Sequence, residues 1–129
     1  MKKGIQISLV GFFSLFLFSA MGQEINQTDD HGRKQGRWIK TKPDGTLVYE
    51  GSFVNDKPVG EFKRYYEDGA LKAVMDYRSK GDAYAELYYP GEQPVLMAEG
   101  KYLNQKKDSI WLAYDPTGQL KSRDTYQED

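Results

Sequence analysis

Among the side chains of this 129-residue chain, the carboxylates come nearest to a spacing that could do chemistry. Glu50 and Glu99 fall at equivalent places in two related segments, and Glu61 and Glu86 share the polar side of their strands. Glycoside hydrolysis needs only two carboxyl groups about 5–10 Å apart. Nothing in the surrounding sequence promises the shaped, partly dry site that would push their pKa values apart, so no enzymatic role is expected. His31 is the only histidine and follows Asp29 and Asp30. The triplet could offer a metal one nitrogen and two carboxylates, but the chain has no Cys and no second His to complete the usual ligand sets; neither a metal nor a cofactor is expected. Nucleophilic devices built on Ser-His or Cys-His fail for the same reason. Tyr65, Tyr88 and Tyr114, with Lys63 near the first, are the remaining candidates for surface binding. They recur at similar places on a polar face, where a broken aromatic row could stack on a sugar, anchor a protein, or simply ladder with its cross-strand neighbours.

The elements that position these residues are set by an internal repeat. Four times a small residue is followed by a large apolar residue, then by a leucine, then by an aromatic ring at fixed offsets. The members are Gly36, Trp38, Leu47 and Phe53; Gly60, Phe62, Leu71 and Tyr77; Ala85, Leu87, Leu96 and Tyr102; and Ser109, Trp111, Leu120 and Tyr126. Starts 24, 25 and 24 residues apart lie in the range where self-similarity signals an array of supersecondary units. Each unit reads as a hairpin, with alternating segments on either side of turn signals such as Pro43-Asp44-Gly45, Glu67-Asp68-Gly69 and Pro116-Thr117-Gly118. Polar joints beginning at Asn55 and Asn104 connect the units. A four-residue hairpin loop would place Tyr66 opposite Leu71, Phe62 opposite Met75 and Tyr77 opposite Gly60. By the same registration Phe53 faces Gly36, Tyr102 faces Ala85 and Tyr126 faces Ser109, so that each ring covers a small residue. The fold expected is all-β: one elongated antiparallel sheet of four consecutive β-hairpins, with the tryptophans, the leucines and the terminal aromatics on one face.

Residues 1–22 read as a secretory signal peptide, with Lys2 and Lys3 ahead of a short apolar run and small residues at Ala20 and Gly22. Residues 23–30 read as a flexible polar leader, and the array occupies residues 31–126. Export to the periplasm or beyond follows as an expectation, with no transmembrane segment in the mature chain. The formal charge of −1 becomes more negative once the signal's lysines are lost, which excludes the basic footprint of a nucleic-acid binder. Asn26-Gln27-Thr28 is a glycosylation sequon only in a eukaryotic route, and Asp108-Ser109-Ile110 is a tripeptide of bacterial O-glycosylation; with Ser109 beneath Tyr126, neither is expected to be used.

Gly36-Arg37-Trp38, Asp44-Gly45-Thr46-Leu47, Tyr49-Glu50-Gly51-Ser52-Phe53, Gly60-Glu61-Phe62 and Tyr66-Glu67-Asp68-Gly69-Ala70-Leu71 together resemble the MORN-type repeat, in the bacterial exported variant found also in antitoxin-like proteins. The third unit departs from the pattern at Ala85, Leu87 and Pro94. The resemblance implies β-hairpins in an elongated, non-enzymatic scaffold that binds another envelope protein or a second copy of itself. It leaves glycan binding and an antitoxin or immunity role as alternatives, the latter resting on fold analogy alone.

Overall fold

The computed structural model describes residues 24–79 and 81–127. The expected signal peptide and the first residue of the expected leader lie outside them. Nine strands follow one another in space as in sequence, each antiparallel to the next, in one open sheet. They are β1 (Gln27–Thr28), β2 (Lys34–Thr41), β3 (Leu47–Val54), β4 (Lys57–Tyr65), β5 (Leu71–Tyr77), β6 (Asp82–Tyr88), β7 (Leu96–Leu103), β8 (Lys106–Tyr114) and β9 (Leu120–Tyr126). The four expected hairpins are β2–β3, β4–β5, β6–β7 and β8–β9.

β1 corrects the expected leader. Asn26 donates from its backbone to Arg37 O at 2.9 Å, and its side-chain amide both gives to and accepts from the Ile39 backbone, at 3.1 and 2.8 Å. The sequon's asparagine is thereby committed to binding the edge of β2. Asp29 closes the following turn by accepting from the backbone of His31 and Arg33 and from the side chains of Arg33 and Gln35. These bonds, the Arg33 backbone bond foremost, hold its carboxyl down at about 2. A short polar stretch without periodicity is thus tied down by side-chain to backbone bonds, which composition does not register.

Turn chemistry is as the sequence implies. In three hairpins Gly sits at positive φ in the turn, at Gly45 (89°), Gly69 (93°) and Gly118 (91°), where a Cβ would be strained. Asp44 and Asp68 cap the first two turns by accepting from the Thr46 and Ala70 N–H at 2.9 Å, and in the fourth hairpin Asp115, at the start of the turn, accepts from the Thr117 and Gln119 N–H. At two of the three joints between units the chain needs only two residues: Asn55-Asp56 and Asn104-Gln105 all have positive φ, the tight hairpin turn that matches strand twist.

Register follows expectation in three units: Gly36 pairs with Phe53, Gly60 with Tyr77 and Phe62 with Met75, and Ser109 with Tyr126. The physical reason for the small residue is different. A Cβ at Gly36 or Gly60 would meet nothing within 4 Å, and Gly36, Gly60 and Ser109 are exposed, so no ring covers them. They have φ of 73°, 66° and 60°. At Gly60 and Ser109 the register with the preceding strand slips, so the position is a bulge that demands a left-handed backbone. Ser109 is consequently open to solvent, not hidden under Tyr126.

The third unit is framed two residues earlier than the repeat suggested. Ala83 pairs with Tyr102, and Ala85 pairs with Gly100 and Met75. Its hairpin closes between Tyr89 and Val95, a loop two residues longer than the one closed by Tyr66 and Ala70, which absorbs Pro94. No slip occurs between β5 and β6, so Ala83 is spared the left-handed conformation and alanine is tolerated there. The leucines also move. A bulge in each hairpin brings Leu47, Leu71, Leu96 and Leu120 opposite Thr41, Tyr65, Tyr88 and Tyr114, not opposite Tyr66 and its equivalents. Since a one-residue slip exchanges faces, the leucines come into register with the polar-face row and leave the face expected for them.

The core is correspondingly thin and aromatic. Phe53, Phe62, Ala73, Ala83, Ala85 and Trp111 are its buried apolar residues. Phe62 stands edge-on to Phe53 and Tyr77, with centroids at 5.5 and 5.9 Å, and Tyr102 caps Trp111 at 4.8 Å. Beneath these rings lie Gly51 and Gly100, where a Cβ would fall inside the Phe62 or Trp111 ring.

Candidate interaction surface

Sheet alternation gives the two faces different chemistry. On the polar face one cross-strand row reads Ile39, Glu50, Lys63, Val74, Glu86, Glu99, Leu112 and Arg123. The three candidate tyrosines lie beside this row, and each gives its hydroxyl to a carboxylate in it: Tyr65 to Glu50 at 2.9 Å, Tyr88 to Glu86 at 2.8 Å and Tyr114 to Glu99 at 3.0 Å. Arg37 lies 3.5 Å from the second oxygen of Glu50, and Lys63 lies 3.5 Å from Glu61. Val74 stands where the second unit would carry its own glutamate, which is why Tyr88 turns to Glu86 within its own unit.

The structure therefore does not bring Glu50 to Glu99 or Glu61 to Glu86. It sets Glu86 directly opposite Glu99. Like charges so placed are unfavourable by a few tenths to about 1 kcal/mol, and the two phenol donors offset this. The pair stands on an open sheet face with no enclosing wall, and among the described residues no group of three or more His, Cys, Asp or Glu converges.

Burial pushes the Tyr65 phenol up to about 12, aided by its bond to Glu50. Burial and then Glu86 do the same for Tyr88, also to about 12. Tyr84 is raised by burial and by Glu99 and Glu86. Because the folded pKa exceeds the free value of about 10, the unfolded chain ionises first as pH rises. The stability these phenols supply is complete below about pH 10 and is lost as pH climbs through about 12. An alkaline titration followed by tyrosinate absorbance should show a late-ionising class, with unfolding in the same window. Tyr65→Phe should shrink that class; an unchanged titration would show that Tyr65 does not belong to it.

At the turn edge a second set of bonds ties successive hairpins together. Lys42 Nζ donates to Glu67 O at 2.6 Å, Tyr66 to Tyr88 O at 2.6 Å and Tyr89 to Tyr114 O at 2.7 Å. These residues occupy one repeat position, a regularity visible in Tyr66 and Tyr89 that the four-member frame passes over.

The opposite face is aromatic and cationic. Lys34 Nζ lies 5.0 Å from the Trp38 ring and 5.1 Å from that of Phe53, the Arg64 guanidinium 5.1 Å from Phe62, and Lys107 Nζ 4.9 Å from Trp111. Their aliphatic stems shelter rings that have no second layer above them. Gly51 and Gly100, on which the deepest rings rest, are the functional spacers that the sequence reading missed. Their signal was the recurring Glu-Gly just before the terminal aromatic of the first and third units, at Glu50-Gly51 and Glu99-Gly100.

A meander of bulged hairpins, in which the second and fourth lean an aromatic on the unit before them, defines a repeat array. Residues 58–78 and 107–128, the second and fourth units, match the family model described as MORN repeat variant. These two units are MORN-type repeats by that match. Such repeats are in general protein- and membrane-binding modules without catalytic residues of their own. No curated protein and no solved structure matches the chain. Among the described residues no helix is long and apolar enough to cross a membrane.

Proposed function

We propose that this protein is exported and acts as a non-enzymatic scaffold in the cell envelope, presenting its aromatic face to another envelope protein or to a second copy of itself. The observation that supports this most directly is the single layer. All nine strands belong to one sheet, no described residue forms a second layer, and Trp38, Tyr49, Tyr77, Tyr102 and Tyr126 remain only half-buried on the cationic face. Half-covered aromatics beside an arginine such as Arg64 are the composition of protein-binding hot spots. Export rests on the charged, apolar and small-residue order of residues 1–22.

The test is affinity capture from the envelope fraction with the mature chain, together with sedimentation of the purified protein. Arg64→Glu reverses charge at the centre of this face; because Arg64 also roofs Phe62, the variant's urea midpoint is measured alongside to show that it is folded. The substitution should weaken the captured partner or the self-association by about 2 kcal/mol, near thirtyfold, if Arg64 belongs to a hot spot. Capture of no reproducible partner by a folded protein that remains monomeric would refute the scaffold reading.

A further inference from the structure

One end of the aromatic face is unlike the rest. In the second and fourth units the aromatic two residues after the bulge is covered by the last ring of the unit before it, leaving Phe62 at 2% and Trp111 at 3% exposure. Trp38 occupies the same position in the first unit, with no unit before it among the described residues. From that side the β1 segment reaches it at the ring edge, where Trp38 Nε1 donates to Gln27 O at 3.1 Å, while Phe53 and Lys34 of its own unit lie against the ring at 6.2 and 5.0 Å. The indole is left half-buried beside a cleft of about 390 Å³, lined by Asn26, Lys34, Trp38, Lys40, Thr41 and Tyr49 together with Ile39. That volume lies at the lower end of the range for small-molecule sites, about 300–1,000 Å³.

The lining has a definite chemistry. No acid contributes to it. Lys34 and Lys40 stand there without a carboxylate in ion-pair reach among the described residues. Lys34 Nζ is 5.0 Å from the indole centroid and donates to Tyr49 Oη at 3.4 Å. The Asn26 amide is spent on the Ile39 backbone and acts as wall, whereas the Thr41 hydroxyl makes no side-chain hydrogen bond among the described residues. A half-exposed indole, two ammoniums without a carboxylate partner among the described residues and the Thr41 hydroxyl suit a ligand with an apolar ring face, a carboxylate and hydroxyl groups of its own.

We propose that this cleft binds a carboxylated saccharide, its ring stacked on Trp38 and its carboxylate held by Lys34 and Lys40. A membrane surface is the competing occupant for a cationic aromatic face. The geometry favours the sugar, because the exposed large aliphatics that would insert into lipid, Ile25, Val54, Ile110 and Leu120, do not line the cleft. The site also lies on the face opposite Tyr65, Tyr88 and Tyr114, whose hydroxyls are already committed to glutamates. This proposal stands independently of the scaffold reading, and each has its own readout.

The mature chain is to be passed over immobilised polygalacturonate and over neutral dextran at low salt, and titrated with galacturonate oligomers by tryptophan fluorescence. Buried Trp111 supplies a constant background. The expected result is retention on polygalacturonate alone, released by salt as exposed charge pairs are. Trp38→Ala should lower affinity by about tenfold or more, equivalent to ~1.4 kcal/mol, and Lys34→Ala with Lys40→Ala should weaken binding and flatten its salt dependence. Trp38→Phe keeps an aromatic face and should retain binding, which separates loss of the site from loss of the fold. Lys121→Ala, on β9, should behave as wild type. Retention unchanged by Trp38→Ala, binding only to phosphatidylglycerol vesicles, or binding to neither surface would each overturn the proposal.

Discussion

Phe62→Ala is expected to lower unfolding stability by about 3–5 kcal/mol, the cost of removing a fully buried aromatic where the surroundings cannot close the gap. Phe62 is the one large side chain with essentially no exposure. Its ring is shared by Tyr49, Phe53 and Tyr77 at 5.2–5.9 Å and roofed by Arg64, and its floor is the bare backbone of Gly51. A one-layer sheet has no opposing layer to collapse into the void. Domains of this size have only about 5–15 kcal/mol in total, so urea denaturation should show a large drop in midpoint. Trp38→Ala, at the half-exposed equivalent site, should cost clearly less. Because a repeat array is held by neighbour contacts, hydrogen exchange in the Phe62 variant should rise most in β2 to β5. Uniform loss of protection through β9 would show that the sheet unfolds as a single unit and not unit by unit.

The location of that break follows from the distribution of rings. Trp38, Tyr49, Phe53, Phe62 and Tyr77 form one connected aromatic group, and Tyr102 with Trp111 forms another. Between them the buried positions are Ala73, Ala83 and Ala85. Alanine buries little area, so the joint between the second and third units has the least hydrophobic stabilisation per strand pair. The degenerate unit is the seam of the array.

Much of the fold was legible in the sequence because strand period, turn residues and repeat spacing all point the same way. Asp44-Gly45, Asp68-Gly69 and Gly118 marked hairpin turns, and counting outward from them fixed the Gly36–Phe53, Gly60–Tyr77 and Ser109–Tyr126 pairings. The third unit escaped because Asp82-Ala83-Tyr84-Ala85 offers two small residues at the same parity. Only the loop from Tyr89 to Val95 decides between them, and loop length is not a periodic signal. The bulges escaped for a related reason. A left-handed backbone at Gly36 and Gly60 leaves the same glycine in the sequence that a covering ring would. Only Ser109, at φ 60°, hinted that conformation mattered more than size. Of the candidate surface, Tyr65, Tyr88 and Tyr114 were found but not their partners, since a hydrogen bond such as Tyr65 to Glu50 joins residues of adjacent units whose pairing depends on those bulges. Trp38 was read as one more member of the repeat. That it is less buried than Phe62 and Trp111 follows from its having no ring of a preceding unit against it among the described residues.

Gly100→Met is expected to destabilise the protein by about 1–3 kcal/mol or more as an overpacked site, and Trp111→Ala by about 3–5 kcal/mol as a cavity, yet the two together should cost less than their sum. The chain already contains the swapped solution. Along the row that carries Gly51 under Phe62 and Gly100 under Trp111, the second unit has Met75 and the strand after it presents Ala85, directly paired and with Ala85 fully buried. Large over small in two joints and small over large in the third fill the same space between adjacent strands, so the contact conserves volume while exchanging the partners. A Met at 100 in the double variant should occupy part of what the indole vacated, giving a favourable coupling within the range of about 0.5–3 kcal/mol seen for residues in contact. The measurement is a double-mutant cycle by urea denaturation. Strict additivity would mean that Met75 and Ala85 depend on the unbulged register of β5 and β6, and that the joint carrying the slip at Gly100 and Lys101 cannot hold the same pair. The repeat would then be specified by its bulges first and by side-chain volume second.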